Sequence, residues 1–257
     1  MNDPGLREAI RIAGGVTELA RRIGISQPSI SNWTRVPAER VLSVEAATGI
    51  ARNVLRPDLY AEAGARGIDD VDLSRAQEYA LLAALLLRAP DAAFLRRLGG
   101  LRGDPTPLGG THIALADAAS NTDAGKVERE FFNLFIGIGR GELVPYGSYY
   151  LTGFLHERPL ARLRDDLIEL GIERADGQYE PEDNAGILCE IMSGVAGGQF
   201  DAPPGSDRRL FEKHLSPWLG RFFADMESAE SADFYRRVGA VGRAFVEIEA
   251  EAFALPG

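Results

Sequence analysis

From Leu73 to Phe253 apolar side chains recur at helical spacing, and no stretch alternates apolar with polar as a half-buried strand would. Ser74 with Gln77 reads as a capping box before the run Tyr79–Leu87, which Pro90 closes. Asp123 opens a helix through Val127, Phe131, Leu134 and Phe135. Pro159 begins one carrying Leu160, Leu163, Leu167 and Leu170, stopped at Gly171. Pro181 starts another with Ile187, Leu188, Ile191 and Val195. Leu210, Phe211, His214, Leu215, Trp218, Leu219 and Phe222 form a stripe that Pro217 breaks, and Phe234–Phe253 is a last long helix. A chain patterned this way buries its apolar stripes helix against helix, so an all-α bundle is expected.

The front of the chain is organised on a smaller scale. Gly15 to Arg35 reads GVTELARRIGISQPSISNWTR, two short helices around a tight turn. Leu19, Ala20 and Ile23 share one face of the first helix. Gly24 stands where the chain must turn through positive φ. Ser26 is placed to cap the second helix, with Pro28 in its first turn, where a missing N–H costs nothing. Ile30 and Trp33 then face inward, and Ala20 is small where the helices cross.

Ala20, the glycine four positions on and Ile30 six beyond it form a pattern that resembles the Cro/YdaS-like helix-turn-helix family, with Pro37–Ile50 as a supporting helix. The resemblance implies DNA binding. Gln27, Ser31 and Asn32 would face base edges at the start of the recognition helix, since Gln and Asn pair bidentately with adenine. Arg21, Arg22, Arg35 and Arg40 would neutralise phosphates, which position without specifying. Tri-helical units of this kind also serve as protein–protein modules. Met1–Gly67 carries nine arginines against seven Asp and Glu, a slight positive excess. Tight DNA binding from so small a charge calls for a homodimer reading two half-sites.

The remainder has 19 basic and 31 acidic residues, a body that repels a polyanion and attracts cationic segments. Between the halves, AEAGARGIDDV (61–71) is small, Gly-containing and aperiodic, and reads as a linker. A boundary near Gly67 is expected, with domains 1–67 and 68–257. A single cysteine, Cys189, excludes an internal disulfide and any multi-cysteine metal site. No basic stretch followed by an apolar one opens the chain, and no run approaches the ~18 apolar residues of a membrane span. A cytoplasmic protein is expected, without membrane association.

Catalytic chemistry finds little purchase. His112, His156 and His214 are scattered, with no metal-ligand spacing and no nucleophile–base pair. GIGRGE (137–142) has alternating glycines but neither the preceding strand nor the Lys-Ser/Thr of a phosphate cradle. His214 on its apolar stripe and Cys189 among Ile187, Leu188 and Ile191 read as packing residues. Neither enzymatic activity nor a cofactor is expected.

Three stretches depart from plain amphipathic helix. In Glu128–Leu151 a helix gives way to a Gly-rich loop, a proline and three tyrosines; YEPEDN (179–184) sets three carboxylates around a proline; EKHLSPWLGRFF spans 212–223. Their order and spacing resemble the TorD/DmsD/NarJ family of redox-enzyme maturation chaperones, over roughly 70% of the chain. The family's E-x-x-x-L-F element falls on Glu130, Leu134 and Phe135. Its P-Y-x-S-x-Y-L element falls on Pro145, Tyr146, Ser148, Tyr150 and Leu151. E-P-x-D-H falls on Glu180, Pro181 and Asp183, with Asn184 in place of the histidine, and H-L-x-x-W on His214, Leu215 and Trp218. Gly147 stands where the family often has an acid, which removes one charge partner for an arginine. Asn184 removes a histidine-mediated contact but retains hydrogen-bonding capacity.

The resemblance implies a helical protein that holds the leader peptide, often twin-arginine, or the apo-form of a molybdenum or tungsten oxidoreductase subunit until its cofactor is inserted. The residue chemistry runs parallel. Glu180, Glu182 and Asp183 are the carboxylates that paired arginines would seek. Phe135, Tyr146, Tyr149 and Tyr150, with Ser148 among them, offer adaptable apolar surface to a greasy segment. Carboxylates at a helix start are also favoured by the helix dipole alone, and Trp218 and Phe222 read better as core. Three readings stay open: a maturation chaperone, a transcriptional regulator whose helical body senses the apo-enzyme or leader, and a front domain kept only for self-association.

Overall fold

The computed structural model describes residues 3–50, 52–56, 69–174, 177 and 179–255. The chain divides into two units, Met1–Ala65 and Arg66–Gly257. The boundary near Gly67 lies outside the described residues.

The first unit comprises α1 (Pro4–Ala13), α2 (Val16–Ile23), α3 (Gln27–Ser31), a 3₁₀ turn (Ala38–Arg40), α4 (Val41–Thr48) and α5 (Arg52–Leu55). The sequence pattern alone does not expose α1. Asp3 caps it by accepting from the Gly5 N–H at 2.9 Å, Pro4 fills its first position, and Gly14 ends it at φ 91°. Leu6, Ala9 and Ala13 then join Leu19, Ala20, Ile30, Val41 and Val44 in one core, with Trp33 half-buried at its edge. Gly24 has the positive φ that the turn demands, 68°. Ser26 is extended as an N-cap should be, yet its hydroxyl meets the Ser29 hydroxyl at 2.8 Å and accepts from no backbone N–H. α3 is little more than a single turn, and Asn32 ends it.

The second unit runs α6 (Asp70–Leu87), α7 (Ala92–Leu98), α8 (Pro107–Ser120), α9 (Ala124–Phe131), α10 (Gly147–Thr152), α11 (Arg158–Glu169), α12 (Ala185–Ala196), α13 (Ser206–Leu210), α14 (Leu219–Ser228) and α15 (Phe234–Ala254). No strand occurs among the described residues, and the architecture is all-α as expected. None of these helices is long and apolar enough to cross a membrane. α6 packs on α12, and α15 packs on α14 and α8. Tyr79, Leu82, Trp218, Phe222, Phe223 and Tyr235 are among the side chains that fill the core. Gly242 lets α15 approach α14, because a Cβ there would overlap the Phe223 ring.

Two helix starts differ from the sequence reading. α6 begins within the expected linker, because Asp69 accepts from the N–H groups of Val71 (2.9 Å) and Asp72 (2.8 Å). Ser74 therefore lies a turn inside, donating to Asp70 O, and forms no capping box. α12 begins at Ala185 rather than Pro181: Asn184 accepts from Gly186 N–H at 2.8 Å, leaving Pro181–Asp183 as a turn. Two π-helical turns, Phe132–Ile136 after α9 and Phe211–Leu215 after α13, carry an i→i+5 bond each: Gly137 N to Phe132 O and Ser216 N to Phe211 O.

Candidate functional site

The tyrosine loop and the acidic turn meet through their backbones. Tyr146 and Asn184 form an isolated antiparallel bridge; Gly147 N–H donates to Asp183 O at 2.9 Å and Ala185 N–H to Pro145 O at 2.8 Å. Side chains reinforce the junction. Ser148 N–H donates to Asp183 Oδ2 at 2.7 Å, and the Tyr146 hydroxyl to Glu180 Oε2 at 2.6 Å. Burial, helped by the Glu180 carboxylate, pushes the Tyr146 phenol up to about 12. Of the eight residues expected at a peptide site, Tyr146, Ser148, Glu180 and Asp183 come together here.

This junction holds two buried polar atoms without a hydrogen-bond partner among the described residues, Asp183 Oδ1 and Ser148 Oγ. Asp183 is 3% exposed and lines a cavity of about 270 Å³ with Gly147, Arg162, Asp165, Asp166, Lys213, His214 and Trp218. An unpaired carboxylate oxygen at such a place is costly unless a donor reaches it. Gly147 leaves that cavity open: a Cβ there would lie 3.0 Å from Trp218 Nε1, pressed against the indole. On the far wall, Asp166 accepts from Lys213 Nζ (2.9 Å) and Arg209 (3.1 Å), and its Oδ2 lies 2.6 Å from His214 Nε2. Burial opposes ionisation of Asp166, but the Lys213 and His214 hydrogen bonds hold it below the usual carboxylate range. Burial also outweighs the Asp166 contact at His214 and keeps the imidazole below its ordinary value. His214 thus packs as its apolar stripe suggested, and its carbonyl accepts from Trp218 Nε1 at 2.7 Å.

The other four lie elsewhere. Glu182 takes Arg164 Nε at 2.8 Å and Arg174 Nη2 at 2.5 Å. Tyr149 and Tyr150 line a separate hollow of about 570 Å³ with Arg140, Arg221 and Asp225. There the Tyr150 hydroxyl donates to Asp225 Oδ2 at 2.9 Å, and Arg140 donates to the Tyr149 hydroxyl at 2.6 Å. Phe135 packs against Phe131 and Tyr235, ring centroids 5.0 and 5.4 Å away, at the margin of the core. The partners Arg164, Arg174 and Asp166 carry no sequence signal, for they belong to no motif, whereas Lys213 lies inside the 212–223 stretch beside His214. Ile168 does carry one: it is apolar yet off the buried face of α11, and is 76% exposed.

In the first unit Gln27, Ser31, Asn32 and Arg35 are exposed, as a DNA-reading face would need. Gln27 Nε2 donates to Ser31 Oγ at 2.9 Å, a pairing along the helix. Arg21 and Arg22 share the Glu18 carboxylate (2.6 and 3.4 Å), and the Arg21 hydrogen bond draws that acid down to about 2. Arg22 also donates to Ala47 O. No group of side chains that could hold a metal ion occurs among the described residues.

Comparison with known proteins finds relatives of both units. Residues 102–224 match the family model described as nitrate reductase delta subunit, and residues 6–63 the one described as bacterial toxin YdaS. The chaperone protein TorD of Vibrio cholerae is 23% identical over 127 residues, covering 46% of this chain and 58% of TorD. A protein of Escherichia coli named as a candidate transcriptional regulator, YdaS, is 36% identical over 59 residues, covering 21% of this chain and 60% of YdaS. The chain thus spans a little under two thirds of the length of these relatives. A crystal structure of a candidate redox enzyme maturation protein from Archaeoglobus fulgidus aligns over 67% of this chain and 93% of its own, at 19% identity and a TM-score of 0.49. The chain therefore carries a YdaS-like N-terminal unit and a TorD-like helical unit, the two resemblances read from its motifs.

Proposed function

We propose that the helical unit is a chaperone for a molybdenum or tungsten oxidoreductase subunit, acting in the cytoplasm by holding the subunit's arginine-bearing leader peptide or apo-form. The observation that carries this reading is the junction of Tyr146 with Asn184, which leaves Asp183 Oδ1 buried and unpaired beside a cavity. A guanidinium would supply the missing donors with a charge-assisted bond. The acidic excess of the unit favours a cationic client, and the matched TorD chaperone supports the class. The chain is read as a binding protein and not a catalyst. Replacement Asp183→Asn keeps an acceptor for the Ser148 N–H but removes the charge. By fluorescence anisotropy it is expected to weaken a labelled peptide carrying adjacent arginines by roughly 10- to 100-fold, the size of one such bond. An unchanged affinity, or an equal loss for a peptide whose arginines are glutamines, would refute the assignment.

A second role is favoured by the exposed face of α3 and by the regulator name of the matched YdaS protein. In this role the first unit docks on DNA as part of a dimer, and the helical unit reports the apo-enzyme or leader to it. Gln27→Ala with Asn32→Ala is expected to weaken a footprinted site by roughly 10-fold or more in gel shift. Retention of every binding activity by that double variant would leave the first unit a self-association module. A footprint that leader peptide does not alter would remove the sensing role alone.

A further inference from the structure

A second hollow, of about 590 Å³, lies between α11 and α12 and is lined by Leu167, Ile168, Ile172, Ile187, Ile191 and Phe200. Ile168 projects there from α11 with three quarters of its surface in contact with water. Phe200 forms a wall seated on Gly194, where any Cβ would collide with the ring. The rim is charged in a particular way. Its two cations, Arg164 and Arg174, both bond Glu182. Burial opposes ionisation of Glu182, but backbone and arginine hydrogen bonds hold it below the usual range. Among the described residues Glu173 and Glu190 have no ion pair, and Glu180 receives only the Tyr146 hydroxyl. The groove is therefore apolar at its base, with unpaired carboxylates at its edge and no uncommitted cation among the described residues.

We infer that this groove seats the apolar stretch of a cationic peptide, while the peptide's arginines reach the Asp183 cavity. The inference rests on the chaperone reading and adds to it a separate place for the greasy segment, one the motifs do not mark. Glu180 joins the two places, lining the groove while bonding Tyr146 of the junction. Charge selects the occupant. A second copy of the helical unit, with 31 acids against 19 bases, would bring like charge to an acidic rim. An apolar segment flanked by arginine or lysine brings the opposite charge.

Three labelled synthetic peptides test this by anisotropy with the full chain: paired arginines followed by ten Leu, Ala and Val residues; the same with the apolar block replaced by Ser and Gln; and the apolar block with the arginines replaced by Gln. Ile168→Gln alters a position that is exposed and outside the core. It is expected to weaken both apolar-block peptides roughly fivefold or more, and the polar-block peptide not at all. Glu190→Lys is expected to weaken the arginine peptide carrying the apolar block, through like charge at the rim. Asp183→Asn should weaken the two arginine peptides alike and spare the third. If the wild type binds in an arginine-dependent way but neither groove variant changes any affinity, the groove assignment falls and the chaperone reading stands. If the wild type binds none of the three, both fall. Loss of a concentration-dependent dimer in Ile168→Gln, with peptide binding intact, would overturn the inference in favour of self-association.

Discussion

Replacing Arg75 by alanine is expected to destabilise the helical unit by about 3–5 kcal/mol, the cost of stranding a buried charge. Arg75 donates to Glu249 through Nε (2.7 Å) and Nη2 (2.9 Å), and its Nη1 lies 3.0 Å from both Asp72 and Asp207. Glu249 is 1% exposed and Asp207 2%. The Tyr79 hydroxyl adds a bond to Glu249 at 2.9 Å, and burial first, then the Glu249 charge, drives that phenol well above its ordinary range. Burial works against the arginine's own charge, yet the Glu249 and Asp207 contacts raise its affinity for the proton above the ordinary value. Without Arg75, Glu249 faces Tyr79 with no countercharge. The melting temperature should then fall by roughly 6–20 °C for a unit of this size. Lysine at position 75 cannot reproduce the two-nitrogen grip on Glu249 and should recover only part of the loss. The paired change Arg75→Met with Glu249→Gln removes the arginine and the carboxylate it grips with two nitrogens, leaving Asp207 charged, and is expected to be milder than Arg75→Ala. Equal destabilisation by the two would show that packing over Phe253, 4.8 Å beneath the guanidinium, matters more than charge.

This network shows where sequence reading stops. The apolar stripes of α9, α11 and α15 are legible because each repeats at helical spacing over several turns. α7 and α8 are not. The first is short, and the second, PLGGTHIALADAAS, is built largely from small residues that give a faint stripe. The caps at Asp69 and Asn184 escape for a different reason: a proline or a Ser–Gln pair nearby offers a stronger local signal than a lone capping side chain. Arg75 meets Glu249 across 174 residues, a distance over which no local pattern carries information. The candidate site divides along the same line. Its motifs point to the junction of Tyr146 with the acidic turn, yet backbone conformation decides which tyrosines share it. Tyr146 stays extended (φ −129°, ψ 132°) and pairs with Asn184, whereas Tyr149 and Tyr150 enter α10 and turn to another hollow. Glu182 looks free in the sequence and is held by two arginines, 8 and 18 residues away.

Glu130→Ala is the other substitution expected to be severe, at about 3–5 kcal/mol, because it strands several backbone donors at once. Glu130 Oε1 accepts from the N–H groups of Asp233 (2.8 Å) and Tyr235 (2.6 Å), and Oε2 from Phe234 (3.1 Å). These are orphan donors at the start of α15, where Asp233 makes no cap bond of its own. Glu130 is thus a cap supplied from α9, across more than a hundred residues. Burial raises its carboxyl above the ordinary 4.5 despite the three N–H groups. The folded chain therefore holds the Glu130 proton more tightly than the unfolded one. That contribution to stability is complete below about 4.5 and is lost as pH rises through the raised folded value. Glutamine keeps one accepting oxygen but opposes an N–H₂ to the remaining N–H. Glu130→Gln should cost about 1–2 kcal/mol and lack this pH dependence in urea denaturation between pH 4 and 8. Amide exchange at Asp233–Tyr235 should quicken most in the alanine variant. Peptide affinity per folded molecule should be unchanged in the glutamine variant, since Glu130 and Phe135 meet α15 and not the cavity beside Asp183. A loss of affinity at full folding would return the first motif to the client-binding surface; unchanged affinity would make it the element that fixes the last helix against the bundle.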